Sequence, residues 1–236
     1  YGISKAQGEW IKLMHHDDWF RKDDSVQHFF DKTVEGKRFI FSRYINIYED
    51  GHEKMPSFPS RWKSRIINQP VSLLARNVIG PPSVTLIHRS ITEQYDPRMK
   101  WRVDLDFYIR LLRSEKAFTL IEEPLINVGI SSSQVTNDCL NQPEVELPEG
   151  LLLLNKYGHQ PLKDIYVYDA WWRILRNTGT RNEAQLNQFT SHIQWPYVIR
   201  LMLKQQAKIP SHWLQNGFIS KSAMLLSYFR NQKHLR

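Results

Sequence analysis

The chain of 236 residues has one cysteine, Cys139. No disulfide can close within it, and it suits a reducing compartment. Its longest aliphatic run is Leu151-Leu152-Leu153-Leu154, far below the roughly 18 residues that a membrane-crossing helix needs. There is no internal repeat and no low-complexity tract. With 41% hydrophobic, 24% charged and 12% aromatic residues, the composition is that of a globular protein able to bury a core. It is not that of a disordered tail, a collagenous repeat or a coiled coil. No basic-then-apolar leader is legible near the start, so nothing there points to secretion. Acidic residues are missing from one place: residues 184–236 contain none. From Lys156 onward 12 Lys+Arg face 3 Asp+Glu, a surplus of +9, which leaves −1 for the rest of a chain whose total is +8. The basic character therefore belongs to the C-terminal part.

The patterning predicts alternating strands and helices in the first half. Residues 8–14 read as a strand, and Ser25 reads as the cap of a helix with Val26, Phe29, Phe30 and Val34 at helical spacing. Residues 38–48 form an aromatic, β-branched strand that ends at Glu49-Asp50-Gly51. Residues 54–62, with two prolines, read as a loop, and residues 70–78 as a short helix with proline at its start. Gly80-Pro81-Pro82 breaks the chain before a buried strand over residues 83–87. A helix over 103–113 follows, with Val103, Phe107, Leu111 and Leu112 on its apolar face, then strands at 118–121 and 125–130. This order favours an α/β sheet. The polar stretch 131–150, with three serines and two prolines, reads as a linker. Residues 151–236 read as all-helical, with helices near 166–177, 194–207 and 220–230. The chain opens on Tyr1, not Met, and is structured at once, so the expectation is the downstream part of a longer protein.

Two constellations can carry chemistry. The first is Gly8-Glu9-Trp10-Ile11-Lys12-Leu13-Met14-His15-His16-Asp17-Asp18-Trp19. A strand that delivers adjacent carboxylates to the edge of an α/β sheet puts hard oxygen ligands where such folds bind ligands. That donor type suits Mg²⁺ or Mn²⁺ beside a diphosphate. The bland alternative is a turn that merely favours acidic residues. A zinc site is disfavoured, because adjacent histidines on an extended segment point to opposite faces. The second constellation, Val103-Asp104-Leu105-Asp106 running on to Arg110, puts two carboxylates in the first turn of a helix, where the helix dipole favours them. Asp106 pairs in spacing with Arg110 and reads as structural. Asp104 has no such partner and is free to act as a general base.

Together the motifs resemble the centre of family 2 glycosyltransferases. Tyr1-Gly2-Ile3-Ser4-Lys5-Ala6-Gln7-Gly8-Glu9-Trp10-Ile11 followed by His15-His16-Asp17-Asp18 is similar to that family's "A-x-G-E-(aromatic)-I" segment and its metal-binding aspartates. Ile79-Gly80-Pro81-Pro82-Ser83-Val84 resembles the acceptor-side strand, and Tyr95-Asp96-Pro97 with Val103-Asp104-Leu105-Asp106 resembles the catalytic helix. The match spans roughly residues 1–135. It departs from the pattern at His15, where the family has its first aspartate, and at Val103, where it has glutamate.

The resemblance implies a partial glycosyltransferase A-type mixed sheet flanked by helices over residues 1–130, with the nucleotide-binding half upstream. The linker 131–150 and a basic helical region, 151–236, would follow. It implies that Asp17 holds the divalent metal and that His15 and Asp18 lie near the donor diphosphate. Gly80, Pro81, Pro82 and Ser83 would lie on the acceptor side, Asp104 would be the catalytic base, and Gln134 and Thr136 would sit in a mobile loop. The implied activity is sugar transfer with inversion from a nucleotide-sugar donor to a saccharide or lipid-linked acceptor, in cell-surface polysaccharide synthesis. The expected location is cytoplasmic, peripheral on the inner face of the membrane. The tail, with Trp195, Tyr197, Trp213, Tyr228 and Phe229 among its basic residues, reads either as a contact for an anionic membrane or as a solvated basic face. The rival is a non-catalytic basic binding module for membrane or nucleic acid. Nucleic acid is the weaker partner, because no known nucleic-acid module is present.

Overall fold

A computed structural model describes residues 2–132, 134–190 and 194–235. Tyr1, at the head of the first motif, and Ser133, in the expected linker, lie outside the described residues. The chain divides into two compact units. One comprises Tyr1–Leu73, Asn77–Asp96 and Val103–Gln134, the other Leu74–Arg76, Pro97–Arg102 and Val135–Arg236.

The first unit is α/β. In chain order it holds α1 (Gly2–Lys5), β1 (Trp10–Lys12), β2 (Asp18–Phe20), α2 (Ser25–Asp31), β3 (Phe39–Tyr48), β4 (Glu53–Lys54) and α3 (Arg61–Asn68). It continues with β5 (Thr85–His88), α4 (Val103–Glu115) and β6 (Thr119–Ile130). The sheet runs β1-β5-β3-β6-β2, with β4 added on β3. Among the described residues only β3 and β6 pair in parallel, so the sheet is mixed.

The two ends of this path are close in sequence. Residues 13–17 alone join β1 to β2. At about 4.8 Å per strand spacing, the ends of a flat path of this width would lie roughly 19 Å apart. A short connection reaches that only when nearly extended, at about 3.3–3.6 Å per residue. The sheet therefore curls, and the loop that bears His15 and Asp17 and leads into Asp18 of β2 is drawn across it.

The centre of the unit is β3, whose first four residues are all buried. Phe39 stacks on Tyr108 of α4, with ring centres 5.9 Å apart, and Phe41 packs on Phe118 at 5.0 Å. Both faces of this strand are covered, which is why it reads as a continuous apolar run. The two strands expected at 118–121 and 125–130 are one. Pro124 cannot donate to the ladder, so the pairing slips between Ser42 and Tyr44 and then resumes.

Other expectations are corrected. Asp24, not Ser25, precedes the first turn of α2, and of its expected apolar face only Phe29 is buried, while Val26, Phe30 and Val34 are exposed. A helix of seven residues offers the sheet little more than one contact row. The proline-rich loop does form over residues 55–60, but its last two expected residues, Arg61 and Trp62, begin α3, which buries Trp62 and Ile66 one turn apart. Residues 70–78 hold a 3₁₀ turn, Pro70–Ala75. The strand expected from Ser83 begins at Thr85, because Pro82–Val84 coils into another 3₁₀ turn.

The second unit contains α5 (Val135–Cys139), α6 (Pro143–Tyr157), α7 (Ile165–Asn177), α8 (Glu183–Gln188), α9 (Tyr197–Ala207), α10 (Ser211–Gln215) and α11 (Gly217–Asn231). The expected linker is thus largely helical. Pro143 sits at the helix start, where its missing N–H costs nothing, and Glu144 and Glu146 follow in the first turn. Leu147, Leu151 and Leu154 then bury one face of α6. Gly150 lets α6 approach α7 closely: a Cβ there would lie 2.6 Å from the Trp171 ring. Trp195, read as part of an interfacial tail, is instead core, and its indole N–H donates to Thr190 Oγ1 at 2.8 Å.

Candidate active site

Three candidate ligands of the first constellation meet. One ligand atom each from His15, Asp17 and Asp18 lies within 4.8 Å of the others. His16 stays out of the group with an almost wholly exposed side chain, because residues 15–18 are not extended but form a turn in which the His15 carbonyl accepts the Asp18 N–H at 3.2 Å.

Asp18 is the buried member, with 8% of its surface exposed. Burial raises its pKa, the Ser83 hydroxyl opposes the rise by donating to the carboxylate, and the negative charge of Asp17 adds to it. Ser83 Oγ also accepts the backbone N–H of His15 at 2.8 Å. Even so, Asp18 Oδ2 has no hydrogen-bond donor, and His15 Nδ1 is 3.9 Å away. A buried, unmatched carboxylate oxygen is costly unless a cation or proton answers it.

Asp17 is held from the far side of the loop. Its carbonyl oxygen accepts the N–H of Gly129 in β6 at 3.1 Å, and the Gln134 amide donates to Asp17 Oδ2 at 3.2 Å and to the Gly129 carbonyl. Gly129 is required by this approach, since a Cβ on it would collide with the Asp17 carbonyl oxygen. Gln134 therefore belongs to the site. Thr136, paired with it in the expected mobile loop, lies in α5 of the other unit, where its carbonyl accepts from Leu140 N at 2.8 Å.

The Gly80-Pro81-Pro82-Ser83 segment is a shaped turn, not the expected strand. Asn77 Oδ1 accepts the N–H groups of Ile79 and Gly80, and its amide returns to the Gly80 carbonyl at 3.0 Å. Gly80 has φ +116°, and a Cβ there would lie 2.5 Å from the Tyr44 ring, so both backbone conformation and space demand glycine. The segment joins the two constellations. Ser83 touches the His15–Asp18 loop, and Tyr108 of α4 donates its hydroxyl to the Gly80 carbonyl at 3.3 Å.

Asp104 lies one turn before Tyr108 on α4. It retains some exposed surface, yet it is packed closely enough that burial alone pushes its pKa up to about 7. No cation pairs with it among the described residues. Its charge in turn raises the pKa of the Tyr95 and Tyr108 phenols, both lifted chiefly by burial, and the Tyr95 hydroxyl is buried without a partner. Asp106 is fully buried and bound to Arg110 Nε at 2.8 Å, the structural role its spacing implies.

In the sequence a lysine at a strand end signals nothing, yet Lys12 belongs to the site. Its ammonium donates to the carbonyls of Leu13 and Ser83 and sits 5.2 Å from the Phe29 ring centre. Burial lowers its pKa to about 7 against the opposing pull of Asp18. It thus fixes the backbone on both sides of the Ser83–Asp18 contact.

The donor set, two carboxylates and an imidazole around an orphaned oxygen, fits a divalent cation, and its nitrogen member suits Mn²⁺ better than Mg²⁺. No family model matches the chain, and no curated protein matches it.

Proposed function

We propose that the α/β unit is part of a glycosyltransferase A-type fold and that the protein is a metal-dependent, inverting glycosyltransferase. The observation that carries this reading is the buried Asp18 Oδ2, without a donor, grouped with Asp17 and His15. These three residues would hold Mn²⁺ or Mg²⁺, which supplies positive charge for a nucleoside diphosphate. Ser83 and Lys12 keep Asp18 in place, and Gln134 and Gly129 keep Asp17 in place.

Asp104 acts as general base. With a pKa near 7, its carboxylate is both available and basic enough at neutral pH to take a proton from an acceptor hydroxyl. As that O–H bond breaks, the oxygen attacks the anomeric carbon from the face opposite the diphosphate. The anomeric C–O bond then breaks with its electron pair on the departing diphosphate, and configuration inverts. The acceptor is a saccharide or a lipid-linked sugar, and the reaction belongs to cell-surface polysaccharide synthesis.

Thermal unfolding of the full chain tests the reading, with Mn²⁺ alone and with Mn²⁺ plus UDP or GDP. The wild type is expected to rise in Tm with Mn²⁺ and again with the nucleotide, which should have no effect without Mn²⁺. Asp17→Ala should lose both responses, whereas Asp104→Asn should keep both. A wild type indifferent to Mn²⁺, or an Asp17→Ala variant that responds fully, sinks the proposal.

A further inference from the structure

Helix α11 is built the wrong way round for a helix on a globular surface. Its buried stripe is Ser220, Met224, Ser227 and Asn231, spaced i, i+4, i+7 and i+11, and three of the four are polar. Their partners lie inside the same unit. Trp172 Nε1 donates to Ser220 at 3.2 Å, Tyr168 Oη and Ser227 Oγ are 2.5 Å apart, and Asn231 donates to Tyr168 Oη at 2.8 Å. The opposite face carries Phe218, Leu225, Leu226 and Phe229 around one small polar residue, Ser222. Phe218 is 82% exposed, Leu226 59% and Phe229 68%. Trp213 of the adjoining α10 is 53% exposed. An ordinary surface helix buries its apolar stripe and solvates the polar one. Large apolar side chains clustered on an outer face mark a surface that meets something else.

Charge identifies the occupant. Lys221 flanks the apolar stripe on one side, tied to Asp169 at 3.0 Å. Arg230 flanks it on the other and Lys233 lies just beyond the helix end. No carboxylate pairs with either of them among the described residues. Residues 184–236 contain no acidic residue at all. A second copy would bring like charges together around the apolar contact. Nucleic acid would answer the cations but leave the phenylalanines and leucines in water. An anionic bilayer answers both, with acyl chains for the stripe and phosphates for its flanks. At 15 residues, α11 is about 23 Å long by the helical rise, short of the roughly 30 Å hydrocarbon core. Among the described residues no helix is long and apolar enough to cross a membrane.

We propose that α11, with Trp213 of α10, lies in the plane of an anionic lipid surface. Phe218 and Phe229 insert among the acyl chains, and Arg230 and Lys233 contact headgroup phosphates. This inference stands apart from the catalytic reading and needs none of its residues. Two members of the aromatic tail drop out of the contact: Trp195 is core, and Tyr228 spends its hydroxyl on the Lys163 carbonyl at 2.6 Å.

Flotation of the full chain with vesicles tests it, using phosphatidylcholine alone or mixed with phosphatidylglycerol. The wild type is expected to float with the mixed vesicles and not with phosphatidylcholine alone. F218S/F229S should weaken that binding by about tenfold or more, the scale set by withdrawing two phenyl rings from an apolar phase. R230E/K233E should do the same by reversing charge at the headgroups. All four positions are exposed, so both variants should keep the wild-type Tm. Failure to float with anionic vesicles, binding indifferent to lipid charge, or full binding by F218S/F229S would overturn the proposal. So would a self-association or an oligonucleotide complex that F218S/F229S abolishes while vesicle binding is absent.

Discussion

The two units of this protein depart from ordinary globular design in opposite ways. In the α/β unit the anomalies that bear on chemistry are inside: Asp104 and Lys12 with pKa values near 7, and Asp18 with an oxygen that no donor reaches. In the helical unit the conspicuous carboxylates are matched. Glu149, though buried, accepts the N–H groups of Lys100, Trp101 and Arg102 at 2.6–3.0 Å, and Asp169 holds both Arg173 and Lys221. Its anomaly is outside, in the bare phenyl rings of α11. Buried charge without a partner is costly to fold and useful for chemistry, whereas bare apolar surface is costly to dissolve and useful for docking. The contrast underlies our proposals of reaction for one unit and attachment for the other.

The largest expected effect strikes the interior charge. Asp104→Asn should lower turnover by about 10²–10⁴-fold, the usual contribution of a positioned general base, while nucleotide binding persists. Wild-type turnover should climb with pH through about 7 and then level off. Stability should move the other way. The folded-state pKa of Asp104 stands above its ordinary 3.8, so the folded protein holds the extra proton between those values. Stability therefore falls as pH rises from about 4 to 7 and stays reduced above. Asp104→Asn should remove that loss and raise stability at pH 8 by about 1–3 kcal/mol. Rates and chemical denaturation across pH check both halves; a variant that loses stability as well as turnover would make Asp104 a structural residue.

Next comes the loop. Asp18→Ala should abolish the Mn²⁺-dependent rise in Tm, which for the wild type is worth about 2.7 kcal/mol at a hundredfold excess of metal over Kd. Gly129→Ala should blunt the same response while costing about 1–3 kcal/mol, because its methyl group must push the Asp17 carbonyl away. Calorimetric titration with Mn²⁺ distinguishes the two, since only the second variant keeps all three ligands.

In the helical unit, Gly150→Ala should also cost about 1–3 kcal/mol by overpacking Trp171, with no effect on Mn²⁺ binding. The smallest effect is expected outside, where F218S/F229S should leave unfolding within about 0.5 kcal/mol of wild type. A large loss there would mean that the outer stripe of α11 supports the fold after all.

Much of the fold was legible from periodicity. The strands β1, β3 and β5 and the helices α4, α7 and α11 stand within a few residues of their expected places, since each has either an unbroken apolar or β-branched run or apolar residues at helical spacing. One miss comes from proline: it reads as a breaker in residues 131–150, yet Pro143 begins α6, whereas in residues 54–62 the expected loop does form over 55–60. The aromatics of the tail looked alike in sequence, but Trp195 turns inward and Phe218, which drew no attention, turns out.

For the candidate site, local chemistry identified the groups and tertiary structure assigned their energies. His15, Asp17, Asp18 and Asp104 are visible in the sequence as residue types that bind metals or move protons, whereas Ser83 enters only through the resemblance, on the acceptor side. The i,i+4 bond between Asp106 and Arg110 was also determined there, because helical geometry brings such partners together whatever surrounds them. Only the folded chain decided that Ser83, 68 residues from His15, meets its backbone N–H, that Gly129 lies under the Asp17 carbonyl, and that Lys12 is a buried cation beside them. Desolvation depends on what packs around a charge, and packing between distant segments is a property that no local pattern encodes. The same reason divides α11: its spacing was determined locally, but which stripe faced inward was settled by the hydrogen bonds that Tyr168 and Trp172 offered to its serines.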